Sequence, residues 1–258
     1  AMSKPLFDHS LLPKAQIQFV VLADTHHMLD PGDGPLEFNS RRKQSQRAGA
    51  ALRLAAGLDA DFAVHLGDLI QEYPDTSDFQ QALDAAVAQL EASGLKPHLV
   101  AGNHDLGDKA DPTMPTHPVT TETLAEYHRR FGPSWYSFGS GPIHNIVLNS
   151  QIMNTPLGDE QRTWFETELQ HNDGGRLFVF LHLPPYLWDP AEPHQGHYDN
   201  LGQPDRSWLL DLLVQHSVER LFAGHVHFSF FTRLGSLRYT IVPSTSFTRP
   251  GFGHLFTS

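Results

Sequence analysis

The chain has 258 residues, 40% of them hydrophobic, enough to bury one sizeable core and ordinary for a single α/β domain over 1–258. A formal charge of −11 argues against broad electrostatic attachment to long nucleic acid or to an anionic membrane, because phosphate contact relies on clustered Lys and Arg. The absence of cysteine excludes a disulfide framework and a thiolate metal site. Ala1 to Gln18 carries Lys4, Asp8, His9 and Lys14 and lacks the apolar run of a signal peptide. No later stretch is long enough to span a bilayer, so a cytoplasmic location is expected, with 1–15 an extension or cloning remnant.

Ile17 to Ala23 is a continuous apolar run, the pattern of a strand buried on both faces, and it stops at Asp24. Ser40 to Ala56 reads as a helix closed by Gly57, Phe62 to Leu66 as the next strand, and Ser77 to Ser93 as a helix closed by Gly94. In that second helix Phe79, Leu83, Val87 and Leu90 share a face. His98 to Ala101 is a third strand, which makes the first half βαβαβ with a parallel sheet. Beyond it, Trp135 to Phe138 and Ile143 to Asn149 read as paired strands, Leu157 to His171 as a helix, and Leu177 to Leu181 as a strand. Asp205 to His216 reads as a helix and Val218 to Ala223 as a strand, and Phe228 to Val242 folds back as a hairpin around Leu234-Gly235-Ser236. Two sheets facing each other are expected.

Five short segments follow predicted strands: Asp24-Thr25-His26, Gly67-Asp68, Gly102-Asn103-His104-Asp105, His182, and Gly224-His225-Val226-His227. Each alone has a plainer reading: His182 as a satisfied core group, Gly102-Asn103 as a turn, Asp24 as a helix N-cap. Together they offer imidazoles, two carboxylates and an amide oxygen without thiolate, which suits two borderline or hard divalent ions. Two cations roughly 3.5–4 Å apart can hold an ester, activate water and stabilise the leaving oxygen. Such a pair needs a bridging ligand, and Asp68 is the choice, with Gly67 permitting close backbone approach. Other histidines, His27, His65, His98, His194 and His197 among them, are read as structural or solvated.

In this order the segments resemble those of the calcineurin-like metallophosphoesterase superfamily, from Gln16 to about Val242. The resemblance implies a four-layer αββα sandwich of two mixed β-sheets flanked by helices, with a dinuclear site at the carboxyl edge of the strands. It implies Asp24, His26, Asp68 and His227 on one metal, and Asp68, Asn103, His182 and His225 on the other. It further implies hydrolysis of a phosphate ester by a metal-bound hydroxide. His104 would contact the phosphate or act as general acid, Asn103 would touch substrate, and Asp105 would orient the His104 ring. Gln71 stands where purple members carry a ligating tyrosine, and Tyr73 is displaced by two, so a ferric-tyrosinate site is not expected. Manganese or iron comes first, with zinc or cobalt also accepted by these donors.

Phe131-Gly132 to Phe138, Val147 to Gln151, Gln161 to Trp164, and Tyr198 to Leu201 followed by Arg206 resemble the subgroup of calcineurin-like phosphoesterase domain-containing protein 1. That resemblance suggests Tyr198 and Asn200 as substrate-binding residues. A small phosphodiester or phosphomonoester is the expected substrate. A cyclic-nucleotide phosphodiesterase and a Ser/Thr-type protein phosphatase are the alternatives, and a nuclease and an inactive scaffold stand lower.

Overall fold

Alternation along buried strands sets the layers of this molecule, whose computed structural model describes residues 14–37, 39–110, 117–172, 174–193 and 199–248. The first half runs β1 (Phe19–Leu22), α1 (Gln44–Ala56), β2 (Phe62–His65), α2 (Phe79–Ser93), β3 (His98–Leu99), the one-turn α3 (Asn103–Leu106) and α4 (Thr121–Phe131). Its three strands pair in parallel in the order β1-β2-β3, as helical crossovers require. The second half runs β4 (Tyr136–Ser140), β5 (Ile143–Val147), α5 (Asp159–Gln170), β6 (Arg176–Phe180), α6 (Asp205–Gln215), β7 (Arg220–Ala223), β8 (Phe230–Leu234) and β9 (Leu237–Ile241). These six strands form one sheet in the order β4-β5-β6-β7-β9-β8, parallel from β5 to β9 and antiparallel at both edges. The larger sheet is therefore mixed, while the smaller is parallel throughout among the described strands.

Phe19, Val21, Phe62 and Val64 from the first sheet meet Phe178, Phe180 and Phe222 from the second in one cluster. Phe180, fully buried there and stacked on Phe222 with centroids 5.2 Å apart, contributes about 1.5–3 kcal/mol through burial alone. The opposite face of the first sheet gives Val20 and Leu22 to Leu52 and Ala55 of α1 and to Phe79, Leu83 and Leu90 of α2. The opposite face of the second gives Leu177, Val179 and Leu221 to Phe165 and Leu169 of α5 and to Leu209 and Leu213 of α6. Helices, sheet, sheet, helices: this is the αββα order that the motifs imply.

Two elements depart from expectation. Residues Asn39–Lys43 form a 3-10 turn before α1, where a continuous α-helix is expected. Helix α4 has no counterpart in the sequence reading, since Leu124 and Tyr127 are its only buried residues. Its start was nevertheless encoded: the Thr120 hydroxyl accepts from the Thr123 amide at 3.2 Å, and Thr123 returns the contact to the Thr120 amide at 3.0 Å. No described helix is long and apolar enough to cross a membrane.

Candidate metal centre

The loops leaving β1, β2, β6 and β7 continue the sheet hydrogen bonding past the strand ends. Asp24 N donates to Gly67 O at 3.1 Å, His26 N to Asp68 O at 2.9 Å, and Gly224 N to His182 O at 2.9 Å. Held this way, Asp24, His26, Asp68, His225 and His227 all adopt positive φ, between 42° and 72°. L-residues rarely stay there without surrounding structure that enforces it, and such strain concentrates at working sites. Gly67 and Gly102 leave the space: a Cβ on Gly67 would lie 2.6 Å from Gly102 N, and one on Gly102 would lie 2.2 Å from Asp68 Oδ1. Neither position admits a side chain without moving the Asp68 loop.

The result is a buried cluster of nitrogen and oxygen donors. On one side His26 Nε2 faces His227 Nε2 at 3.0 Å, and His227 Nε2 lies 3.6 Å from Asp24 Oδ1. On the other, His182 Nε2 lies 2.9 Å from Asn103 Oδ1 and 3.1 Å from His225 Nδ1, which itself lies 3.1 Å from the same Asn103 oxygen. Asp68 stands between them. Its Oδ2 is 3.5 Å from His26 Nε2 and 3.4 Å from His182 Nε2, while its Oδ1 accepts from the His104 backbone amide at 2.9 Å. Among the described residues three groupings could hold a metal ion: Asp24, His26 and His227; Asp68, His182 and His225; and His26, Asp68 and His104. Imidazole nitrogens facing each other at 3.0–3.1 Å beside carboxylate and amide oxygens are the arrangement that shared cations resolve, so the donor set fits two divalent ions.

Surrounding contacts choose which atom of each group faces inward. His182 Nδ1 donates to the Leu66 carbonyl across the two sheets at 2.7 Å, which turns Nε2 toward Asn103 and Asp68. Asn103 Nδ2 donates to the Tyr73 hydroxyl at 3.0 Å and to Asp108 Oδ1 at 2.9 Å, leaving its oxygen for the centre. The His225 amide donates to both oxygens of Asp24 at 3.1 Å. Burial raises the Asp24 carboxyl well above its usual range against the pull of His182. Burial also pushes Asp68 up, but His182, His104 and His26 outweigh it and hold that carboxyl well below its usual range. His182 is the counterpart: burial lowers it, yet Asp68 and Asp24 carry it up to about 9. Burial, then His104, hold His26 well below the ordinary imidazole value.

The structure brings together seven expected ligand residues: Asp24, His26, Asp68, Asn103, His182, His225 and His227. His104 lies against them, its ring edge-on to His26 with centroids 4.6 Å apart. Asp105 is corrected. Its carboxylate accepts from the amides of Asp68 (2.8 Å), Leu69 (2.8 Å) and Gly102 (2.9 Å), so it shapes the loop that carries Asp68 and does not orient the His104 ring. The ring is fixed by Nδ1 donating to the Gln71 carbonyl at 2.6 Å. Asn200 is fully buried and donates through Nδ2 to Glu192 at 2.6 Å, which orders the loop after β6. Tyr198, the other suggested substrate residue, lies outside the described residues.

Among the described residues, three further neighbours to which the sequence reading gave no role there stand at the centre. Tyr73 stacks on His104 with centroids 4.1 Å apart, Asp199 lies fully buried 3.9 Å from His225 Nε2, and Phe247 packs on His227 at 4.4 Å. Asp199 had a nearby signal, standing between Tyr198 and Asn200, and Tyr73 had one in its displacement by two from the purple-enzyme tyrosine position. A cavity of about 350 Å³ lies elsewhere, walled by Met153, Pro156, Arg162, Pro204 and Trp208, and none of the converging donors lines it. Chemistry, not volume, marks the site here.

The family model for calcineurin-like phosphoesterase matches residues 17–229. Human serine/threonine-protein phosphatase CPPED1 is 29% identical over 181 residues, 64% of this chain and 53% of that protein, and its Bos taurus counterpart is 30% identical over the same shares. The chain thus spans about half the length of these curated relatives, 53%. A purple acid phosphatase from Glycine max is 31% identical over 150 residues, 55% of this chain and 31% of that protein. Among solved structures, a dimetal phosphatase from Danio rerio superposes with a TM-score of 0.62 at 19% identity, covering 91% of this chain and 89% of that one. At that identity the likeness speaks for the fold. Matched by its family model over most of its length, the chain belongs to the calcineurin-like phosphoesterase family, hydrolases that act on phosphate esters.

Proposed function

We propose that this chain hydrolyses small phosphate esters at a two-metal centre, with Asp24, His26, Asp68 and His227 around one ion and Asp68, Asn103, His182 and His225 around the other. The observation that carries the reading is Asp68 Oδ2, which stands 3.5 Å and 3.4 Å from an imidazole of each group. Two divalent ions bound there would supply Lewis acidity toward a phosphoryl oxygen and lower the pKa of water. Manganese or iron is the first choice, and zinc or cobalt suits the same donors.

The rest is the work of side chains. His104 Nδ1 is engaged by the Gln71 carbonyl, so Nε2 is the ring atom left to contact the phosphate and to protonate the leaving oxygen. Asp105 holds the Asp68 and Gly102 loops at the spacing the centre needs. With Gln71 at the place of a purple enzyme's tyrosine, a ferric-tyrosinate site is not part of the proposal.

A second reading, a phosphoprotein substrate, is favoured by the Ser/Thr-phosphatase relatives at 28–30% identity. Metal-stripped protein given back manganese and offered an aryl phosphomonoester, its diester and cyclic AMP separates the substrate classes. Monoester preference supports a phosphatase, diester or cyclic-nucleotide preference a phosphodiesterase, and no hydrolysis of any ester despite two bound ions overturns the small-ester proposal.

A further inference from the structure

Arg41-Arg42-Lys43, with Arg47 four residues on, is a dense basic run in a chain whose 18 Lys and Arg face 29 Asp and Glu. It occupies the 3-10 turn and first turn of α1. Two of its members fasten backbone: Arg42 donates to the carbonyls of Gly32 and Gly34 at 2.5 Å, and Arg47 to those of Ser40 and Ser246 at 2.9 and 2.8 Å. The segment Ser244 to Phe247, which Arg47 grips, lies beyond the residues matched by the family model. It is tied to the centre from beneath. The hydroxyls of Ser244 and Ser246 donate to the Asp24 carbonyl at 2.7 and 2.9 Å, and Thr245 N donates to Ala23 O at 3.1 Å.

These bonds place the Phe247 ring over two of the candidate ligands, its centroid 4.4 Å from that of His227 and 5.5 Å from that of His26. Above that ring sits Arg41, with Cζ 5.2 Å from the centroid. A guanidinium is thereby held one ring away from the ligands of one ion. Arg41 also pairs with Glu37 at 3.2 Å; its own side chain is 20% exposed and that of Glu37 68%, so the carboxylate is the end that solvent can release at little cost. A planar fork that can give up an exposed carboxylate for another anion is a recognition group for carboxylate or phosphate.

We propose that Phe247 and Arg41 form a ledge beside the His26–His227 side of the centre and bind a second anionic group, carboxylate or phosphate, on the alcohol part of the ester. The ledge rests on the phosphoesterase reading of the centre for its substrate, and it names the class: phosphate esters with two acidic groups. Local positive charge of this kind is what admits a multiply anionic substrate to a chain of net charge −11.

Calorimetric titration of manganese-loaded protein with phenylphosphonate, 3-carboxyphenylphosphonate and benzene-1,3-diphosphonate tests the ledge without requiring turnover. The wild type is expected to bind the two doubly acidic ligands about 10–100-fold more tightly than phenylphosphonate, the range of one charge-assisted contact. Arg41→Gln should erase that preference, Phe247→Leu should weaken it, and Arg41→Lys should keep part of it, since charge survives and the fork does not. A preference limited to the carboxylate or to the second phosphonate supports the ledge and names its anion. No preference in the wild type, an equal weakening of all three ligands in Arg41→Gln, or no binding at all overturns it. Phenyl phosphate turnover, measured in parallel, reports on the centre separately: a surviving preference without turnover leaves the ledge standing and removes the hydrolytic reading.

Discussion

Each side of the centre pairs two imidazoles with one oxygen-bearing side chain, Asp24 on one and Asn103 on the other, yet His26 and His182 differ in charge. On the side of Asp24, His26 and His227, burial and the neighbouring His104 keep the His26 imidazole neutral at neutral pH. On the side of Asn103, His182 and His225, Asp68 and Asp24 carry the His182 ring up to about 9 against its burial, so it holds a proton. His26 is ready to ligate, whereas His182 must first be deprotonated. The difference follows from position: His182 is anchored through Nδ1 to Leu66 with Nε2 aimed at Asp68, whereas His26 meets a second imidazole head-on. A family's ligand list therefore does not by itself say how each ion is taken up.

The largest effect should come from removing what the two sides share. Asp68→Asn deletes the charge between His26 and His182, and it should drain metal from both sides and abolish turnover. Elemental analysis alongside a rate assay checks this, and a metal-replete Asp68→Asn enzyme at full rate would refute the bridge. His104→Ala comes next. It should leave metal content nearly intact and slow esters with poor leaving groups about 10²–10⁴-fold, far more than an activated aryl ester. Equal losses on both esters would remove His104 from the acid role.

Tyr73→Phe should sharpen the contrast between the sides. The Tyr73 ring lies between His104 and His117, with centroids 4.1 Å from each, and its hydroxyl accepts from Asn103 Nδ2 at 3.0 Å. Phenylalanine keeps both stacks and loses the hydrogen bond, while Asp108 still holds the amide at 2.9 Å. Metal affinity on the Asn103 side should fall about 10-fold, the lower end for a group behind a ligand, with the His26 side unmoved. A titration in which both sites weaken together would count against this division.

Much of the site was readable because strands buried on both faces leave continuous apolar runs, and each such run ends where polar ligands begin. Ile17 to Ala23 and Leu177 to Leu181 announced Asp24 and His182 in that way. Long-range contacts carry no local signature. Asp199 meets His225, and Phe247 meets His227, only through the fold. Asp105 misled for a geometric reason: in the one-turn helix α3 successive side chains diverge by about 100°, so a neighbour of His104 in sequence points to the Asp68 loop instead. Asn200 shows that a polar residue beside a site can tie a loop together, here through Glu192, by contacts that its local sequence does not reveal. Helix α4 was missed because a surface helix with two buried residues has too narrow an apolar stripe to read.

The smallest effect tests the charge contrast itself. Because the His182 pKa rises from the ordinary 6.5 to about 9, its proton stabilises the metal-free fold fully below about 6.5, and that contribution fades as pH climbs through 9. A cation must displace the same proton, so affinity on the His182 side should increase with pH over this window. Lowered His26 has no proton to lose over that window. Metal-free protein should accordingly melt at a lower temperature at pH 9 than at pH 7, with the loss smaller in the metal-loaded protein. Calorimetric metal titrations at pH 7 in two buffers of different ionisation enthalpy count the protons. The binding event on the His182 side should release close to one proton; release of none there would mean that His182 is already neutral in the metal-free protein.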